Sequence, residues 1–197
     1  ESILSSYPGV RAIGLTGQMH GIVYLDSRGE AVSPLYTWQD RRCDLPFRDG
    51  KTYTETVSEM TGCEVAAGYG LATHFYNMHN GLVPTDAQKI CTIMDYLAIK
   101  LTGRQSPLVH VSDAASFGFF DAEELRFRTD KLALLGIDPA ILPEVTAGCD
   151  IVGKRREIPV AAAIGDNQAS FLGSVAEPGS SILINIGTGS QISAMTK

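Results

Sequence analysis

The sequence predicts an α/β fold, and three observations carry that prediction. Short apolar runs of strand length alternate with segments of helical pattern along the 197 residues. Several of the helical segments close on a glycine, the usual stop signal. Polar clusters follow the strand-like runs instead of interrupting them, and no internal repeat or low-complexity segment breaks the series.

The first element, Val10 to Leu15, is an apolar run ending at Thr16-Gly17, the pattern of a buried strand. In "GIVYLDSRGEAVSPLYTW", Asp26 to Gly29 is a turn between two strand-like runs, which reads as a β-hairpin. The polar "QDRRCD" leads into a helix over "YTETVSEMTG", stopped by Gly62. "LATHFYNMHNGL" has the composition of a short amphipathic helix. "AQKICTIMDYLAIKLTG" starts as a strand, turns helical and again ends on glycine. After "DAASFGFF", the stretch "DAEELRFRTDKLALLG" is expected to be one helix, with Asp121 as N-cap, Glu124 three residues on and Gly136 at its end. "IDPAILP" is a proline-bounded turn. "IPVAAAIGDNQASFLG" reads as strand, Gly165-Asp166 turn and helix, and "SSILINIGTGSQISAM" as strand, glycine turn and strand.

Composition narrows the function classes. Hydrophobic residues are 44% and charged residues 19%, which suits a packed core. A net charge of −6 argues against a nucleic-acid surface, which needs clustered Lys and Arg. No apolar run reaches the length of a membrane span and no signal peptide opens the chain, so the expected location is cytoplasmic. Cys43, Cys63, Cys91 and Cys149 form no CxxC pair and read as reduced thiols, mostly in the core. His74 and His79 do not stack on one helical face and read as packing or surface residues. The chain opens and closes close to strand-like runs, so it is expected to be an internal part of a longer protein.

Polar groups with useful chemistry sit at four strand ends: Gln18, Met19 and His20; Trp38, Gln39 and Asp40; Asp166, Asn167 and Gln168; and "IGTGS" at 186–190. In open α/β sheets ligands bind beyond the strand ends, where such loops converge. Asp166 suits a general base for a hydroxyl, and it suits equally the cap of the next helix. Asn167 and Gln168 offer the donors and acceptors that grip a polyol, and His20 could do likewise. The glycine turn, with the hydroxyls of Thr188 and Ser190, can cradle a phosphate without lysine. Neither GxxxxGK[ST] nor GxGxxG occurs, so a phosphate reader here belongs to another architecture.

Taken in order, "GLTGQMHGIVYLDSRG", "YTWQDRRC", "SDAASFGFFD", "GIDPAILPEVTAGCDIVG", "IPVAAAIGDNQAS" and "INIGTGSQ" resemble the FGGY family of carbohydrate kinases. The likeness covers essentially the whole chain and leans toward the sedoheptulokinase-like branch over the xylulokinases. It implies an actin-like (ribonuclease H-like) α/β ATPase fold, mostly the sugar-binding first lobe and incomplete at both ends. Residues 1–160 would be the later part of that lobe, and 161–197 the catalytic aspartate segment with the start of the nucleotide-binding lobe.

The resemblance also implies roles. Asp166 becomes the base that activates a sugar hydroxyl, with Asn167 and His20 hydrogen-bonding a ketose and Gln18 and Met19 shaping its pocket. Gly187, Thr188, Gly189 and Ser190 become the loop facing the terminal phosphates of ATP, used with Mg²⁺. Trp38 and Asp40 become wall and support, Gln168 has no assigned role, and no residue is assigned to the metal. The expected partner is a small-molecule sugar, with neither nucleic acid nor membrane, and a homodimer is the assembly left open. The family's first phosphate loop, its adenosine site and an arginine that some relatives use on the sugar have no counterpart here. The 197 residues alone are therefore expected to lack kinase activity. Two alternatives stand beside this reading: another sugar or polyol, such as xylulose, and a non-catalytic sugar-binding or regulatory protein on the same fold.

Overall fold

A computed structural model describes residues 2–186 and 189–195, with side chains from residue 4 onward. A helical turn, α1 (Ser2–Ser6), precedes an extended run into β1 (Thr16–Gly17). In this run Ile13 and Leu15 are half-buried while Ala12, Gly14 and Thr16 are exposed, so the expected buried strand packs on one side only. β2 (Val23–Leu25) is buried and forms the expected hairpin, with bridges from Leu25 to Ala31 and from Ile22 to Tyr36. Asp26 closes its turn by accepting from the backbone N–H groups of Arg28 and Glu30, both at 2.9 Å.

The ribbon of β3 (Pro46–Arg48) and β4 (Lys51–Thr52) delivers Thr52 to the N-cap of α2 (Tyr53–Thr61), where Thr52 and Glu55 form a capping box. Gly62 ends α2 in the left-handed conformation at φ 68°, as the sequence predicts. α3 (Gly70–His79) comes next, then β5 (Lys89–Cys91) and α4 (Ile93–Thr102), started by a second capping box between Thr92 and Asp95. β6 (Leu108–His110) runs directly into the short helix α5 (Val111–Ser116).

Residues 120–135 depart from the expected single helix. They form a tight hairpin, β7 (Phe120–Asp121) with β8 (Arg126–Phe127), and only then the helix α6 (Thr129–Leu134). Asp121 Oδ1 accepts from the N–H groups of Glu123 and Glu124 at 3.1 Å each, and Leu125 takes φ 51°. The aspartate-to-glutamate spacing that reads as a capping box thus closes a turn. Tertiary packing decides the outcome: the hairpin buries Phe127, with its ring centroid 6.4 Å from Phe117 and 5.2 Å from Phe120.

β9 (Glu144–Thr146) pairs parallel with β6, and β10 (Ile151–Arg155) pairs antiparallel with β11 (Ile158–Ala161). β12 (Ile164–Gly165) pairs parallel with β1, Thr16 against Ile164 and Gly17 against Gly165, and runs straight into α7 (Asp166–Ser174). β13 (Ile182–Ile186) and β14 (Ser190–Ala194) close the chain as an antiparallel hairpin.

The main core joins β2, β5, α2, α3 and the 109–142 segment through Tyr24, Leu71, Phe75, Ile90, Val109, Phe117 and Leu132. Burying each such side chain contributes about 1.5–3 kcal/mol. A smaller core of Ala98, Val152, Val160 and Ala162 seats α4 on β10 and β11. His74 and His79 are packing residues as expected: His74 bonds Tyr24 Oη at 2.8 Å, and burial pushes its pKa down to about 4. All four cysteines are free; Cys43 and Cys91 are buried, Cys63 is half-buried and Cys149 is exposed. Among the described residues no helix is long and apolar enough to cross a membrane.

Candidate active site

The parallel pairing of β1 with β12 ends both strands at one level, Gly17 beside Gly165. The triplets that succeed them, Gln18-Met19-His20 and Asp166-Asn167-Gln168, therefore emerge at the same sheet edge. The two triplets meet over Gly165. A Cβ on that glycine would lie 2.7 Å from Met19 Sδ and 2.5 Å from Gln168 Oε1. Gly165 itself has φ −59° and ψ 148°, open to any residue, so close approach, and not the sharp turn expected from sequence, is what demands glycine there.

His20 is held on three sides. Its backbone takes φ 71°, an uncommon conformation for a non-glycine residue and one that clusters at functional sites. Its N–H donates to Ser116 Oγ at 2.9 Å, and its ring stacks on Tyr69 at 4.9 Å with an 11° tilt. Nδ1 lies 2.9 Å from the Ser116 carbonyl, which only accepts, so Nδ1 carries the proton and Nε2 keeps its lone pair for a ligand hydroxyl.

Beside His20 opens a cavity of about 470 Å³, walled by Trp38, Gln39, Arg41, Gly68 and Tyr69. Trp38 is 53% exposed, an indole face turned to solvent. Beneath the wall Asp40 pairs with Arg42 at 2.9 Å, and Arg42 donates to Asn77 at 2.6 Å and lies 4.3 Å over the Tyr36 ring. Burial works against the Asp40 charge, but the Arg42 hydrogen bonds and charge outweigh it and hold the carboxyl below its ordinary pKa.

Helix α5 ties the two strand-end loops together. Ser112 Oγ accepts from Gly165 N at 3.1 Å, and Ser116 Oγ accepts from His20 N while donating to the Asp113 carbonyl at 2.7 Å. Asp166 is exposed as the first helical residue of α7, and its Oδ1 accepts from Asn167 N at 2.9 Å. The N-cap is Gly165, which offers no side chain, and Asp166 sits one position inside the helix, where its Oδ1 holds a first-turn N–H.

Of the sugar ligands predicted from sequence, His20 lines the cavity. Gln18, Met19 and Asn167 do not line it; Met19 is buried under Gly165, Gln18 is half-buried, and Asn167 and Gln168 are exposed beside Asp166. Gly189 and Ser190 are exposed at the β13–β14 turn, while Gly187 and Thr188 lie outside the described residues. Sequence reasoning missed Tyr69, Arg41, Ser112 and Ser116. Ser112 and Ser116 carried a signal, hydroxyls four apart on one helical face; Tyr69 and Arg41 carried none.

Comparison with known proteins fits this geometry. The chain is 32% identical to sedoheptulokinase from Mus musculus over 94% of its own length, which is 43% of that relative. It is 29% identical to xylulose kinase from Streptomyces rubiginosus and 31% to glycerol kinase from Streptococcus uberis, again over 94% of this chain and 41% and 40% of theirs. The chain thus spans less than half the length of these relatives. Among solved structures, gluconate kinase and ligand-bound xylulose kinase, both from Lactobacillus acidophilus, superpose with TM-scores of 0.79 and 0.78. Each is 20% identical, with 97% of this chain and 42% of the other covered, and shares the expected actin-like α/β fold. Residues 4–173 match the N-terminal domain of one family in particular, and by that match the chain belongs to the FGGY family of carbohydrate kinases.

Proposed function

We propose that the full-length protein transfers the γ-phosphoryl group of ATP to a hydroxyl of a ketose such as sedoheptulose, with Asp166 as general base. The observation that carries this reading is the shared edge of β1 and β12. It brings to one sheet edge the loop that carries His20, which lines a cavity of about 470 Å³, and the start of α7, where Asp166 is exposed. Trp38 offers the apolar face on which a sugar ring packs, and His20 Nε2 accepts from one of its hydroxyls. Asn167 and Gln18 stand outside that cavity and would meet the part of the sugar that reaches the sheet edge, while Met19 underlies that edge at Gly165.

Asp166 Oδ1 is occupied by Asn167 N, which leaves Oδ2 to take the hydroxyl proton. As that proton moves to Asp166, the hydroxyl oxygen forms a bond to the γ-phosphorus. The bond from that phosphorus to the bridging oxygen breaks, and ADP leaves with the electron pair. By the family resemblance, Gly187, Thr188, Gly189 and Ser190 are assigned to the terminal phosphates of ATP, with Gly187 and Thr188 outside the described residues. Among the described residues no cluster of three or more His, Cys, Asp or Glu side chains stands together to hold a metal ion. The first 160 residues serve the sugar and 161–197 the transfer.

The test is Asp166→Asn in the full-length protein. Phosphoryl transfer should fall about 10²–10⁴-fold while sugar binding by calorimetry stays within a few-fold; retained turnover would return Asp166 to a structural role. A second substrate reading, xylulose or another polyol, is favoured by the near-equal identity to three differently named kinases. A panel of sugars ranked by kcat/KM separates them.

A further inference from the structure

A second cavity, of about 570 Å³, opens between α3, the segment that follows it and the turn at 136–141. It shares no lining residue with the cavity beside His20. Its volume falls within the ~300–1,000 Å³ of small-molecule sites. One wall is pinned: Lys89 Nζ donates to the carbonyls of Ala140 and Leu142 at 2.9 and 2.8 Å, which ties the turn to β5. Asp138 Oδ1 accepts from Ala140 N at 2.9 Å inside that turn. Met78, Val83, Ala87 and Ile141 line the cavity with apolar groups, each half-buried. Among them stands His74, only 4% exposed.

The polarity of His74 is set by a chain of hydrogen bonds that begins at Arg42. A guanidinium only donates, so the 2.6 Å bond from Arg42 fixes the Asn77 oxygen toward it and the Asn77 amide nitrogen toward Tyr24. Tyr24 Oη accepts from Asn77 Nδ2 at 3.2 Å, so the Tyr24 hydroxyl proton goes to its other neighbour, His74 Nδ1 at 2.8 Å. Nδ1 therefore accepts, and Nε2 carries the proton of a ring that burial keeps neutral. Nε2 has no hydrogen-bond partner among the described residues. It is not sealed in either: the sealed side-chain polar atoms without a partner are those of Asp95 and Asp113. A donor left without an acceptor on a nine-tenths buried side chain costs about 1–3 kcal/mol. The open space beside this ring is the cavity.

We propose that this cavity is a second ligand site, taking a small uncharged molecule with an apolar ring and a carbonyl or hydroxyl oxygen that accepts from His74 Nε2–H. The apolar ring packs on Met78, Val83 and Ile141, and the oxygen takes the fixed donor in the wall. A cation would meet a donor in His74 where it needs an acceptor. An anion would have to pass Asp138, which stands exposed at the rim. The site exists without the sugar and does not rest on the kinase reading.

The experiment is saturation-transfer NMR on the full-length protein, with cyclohexanone as the probe and pyrrole, which donates and does not accept, as its counterpart. Cyclohexanone should bind with a dissociation constant of about 1 mM, as suits so few atoms, and pyrrole at least ten-fold more weakly. Val83→Trp, which fills the cavity and takes no part in the hydrogen-bond chain, should abolish the cyclohexanone signal. His74→Phe, which keeps a ring and removes the donor, should weaken binding at least five-fold. A saturating sugar should leave the probe in place. No binding to the wild type, equal binding by pyrrole, an unchanged signal in Val83→Trp, or displacement by the sugar overturns the proposal. Should His74→Phe not fold, the pyrrole and Val83→Trp comparisons decide it. Full-length protein that binds cyclohexanone in this way yet phosphorylates no sugar sinks the kinase reading and leaves the second site standing.

Discussion

Gly68 shows how much of the site depends on a single missing methyl group. It takes φ 88°, and a Cβ there would run into the carbonyl group of Trp38, backbone against the cavity wall. Backbone cannot swing aside as a side-chain tip can, so Gly68→Ala should cost about 2–4 kcal/mol from strain and overpacking together. The wall should open with it. A raised sugar KM beside a lowered Tm is the expected result, and a variant with both unchanged would show that the wall is softer than its geometry. Gly68 carried no signal in the sequence, because nothing local says which backbone will approach it. The Asp166 triplet was legible as polar residues at a strand end, but whether the aspartate capped its helix was not. That depended on where α7 begins, and it begins on Asp166 itself.

At the scale of elements, segments whose signals are local came through, and those decided by distant contacts did not. α2 and α4 end on Gly62 and Gly103 at φ 68° and 76°, as glycine stops predict. The 120–135 segment carried an equally good local signal and folded otherwise, because Phe127 gains more by burial in the core than by a place on a helix surface. The capping box of α4 has a further consequence. Asp95 accepts from Thr92 Oγ1 at 2.6 Å inside the fold, and burial raises its pKa from the ordinary 3.8 to about 7. An acid whose pKa is raised by folding stabilises the fold when protonated. Its contribution is complete below the unfolded pKa and lost as pH rises through the folded one. Between pH 5 and 8 Asp95 should therefore lower stability by roughly 2–3 kcal/mol, at 1.36 kcal/mol per pKa unit. Asp95→Asn keeps an acceptor for Thr92 and removes the titration. Its unfolding free energy should match the wild type at pH 5 and exceed it at pH 8; equal slopes would show that Asp95 is ionised throughout.

For the whole molecule, the ordered series of strand-end motifs made the fold legible, since no single motif was specific. What the series could not give was the pairing of β1 with β12 across nearly the entire chain, or the clamp that α5 makes between them. The same scale exposes an imbalance. Residues 22–163 supply nearly all of the buried apolar side chains, Phe171 being a late exception, whereas the β13–β14 hairpin leaves Ile182, Ile184, Ile186 and Ile192 from 58% to 82% exposed. A two-stranded ribbon with no covered face is marginal in water. In the 197-residue chain its backbone amides should exchange with solvent at least ~100-fold faster than those of β2 and β5, where every side chain but the half-buried Lys89 is buried. β13 and β14 flank the segment proposed to serve the ATP phosphates, so a frayed ribbon leaves that proposed role without a fixed frame. The chain by itself should then release no ADP in a coupled assay with sugar and ATP. Hydrogen exchange resolved by residue reads the first expectation and the coupled assay the second. A hairpin as protected as β2, or turnover by the 197 residues alone, would show that the ribbon is stable without a covering layer.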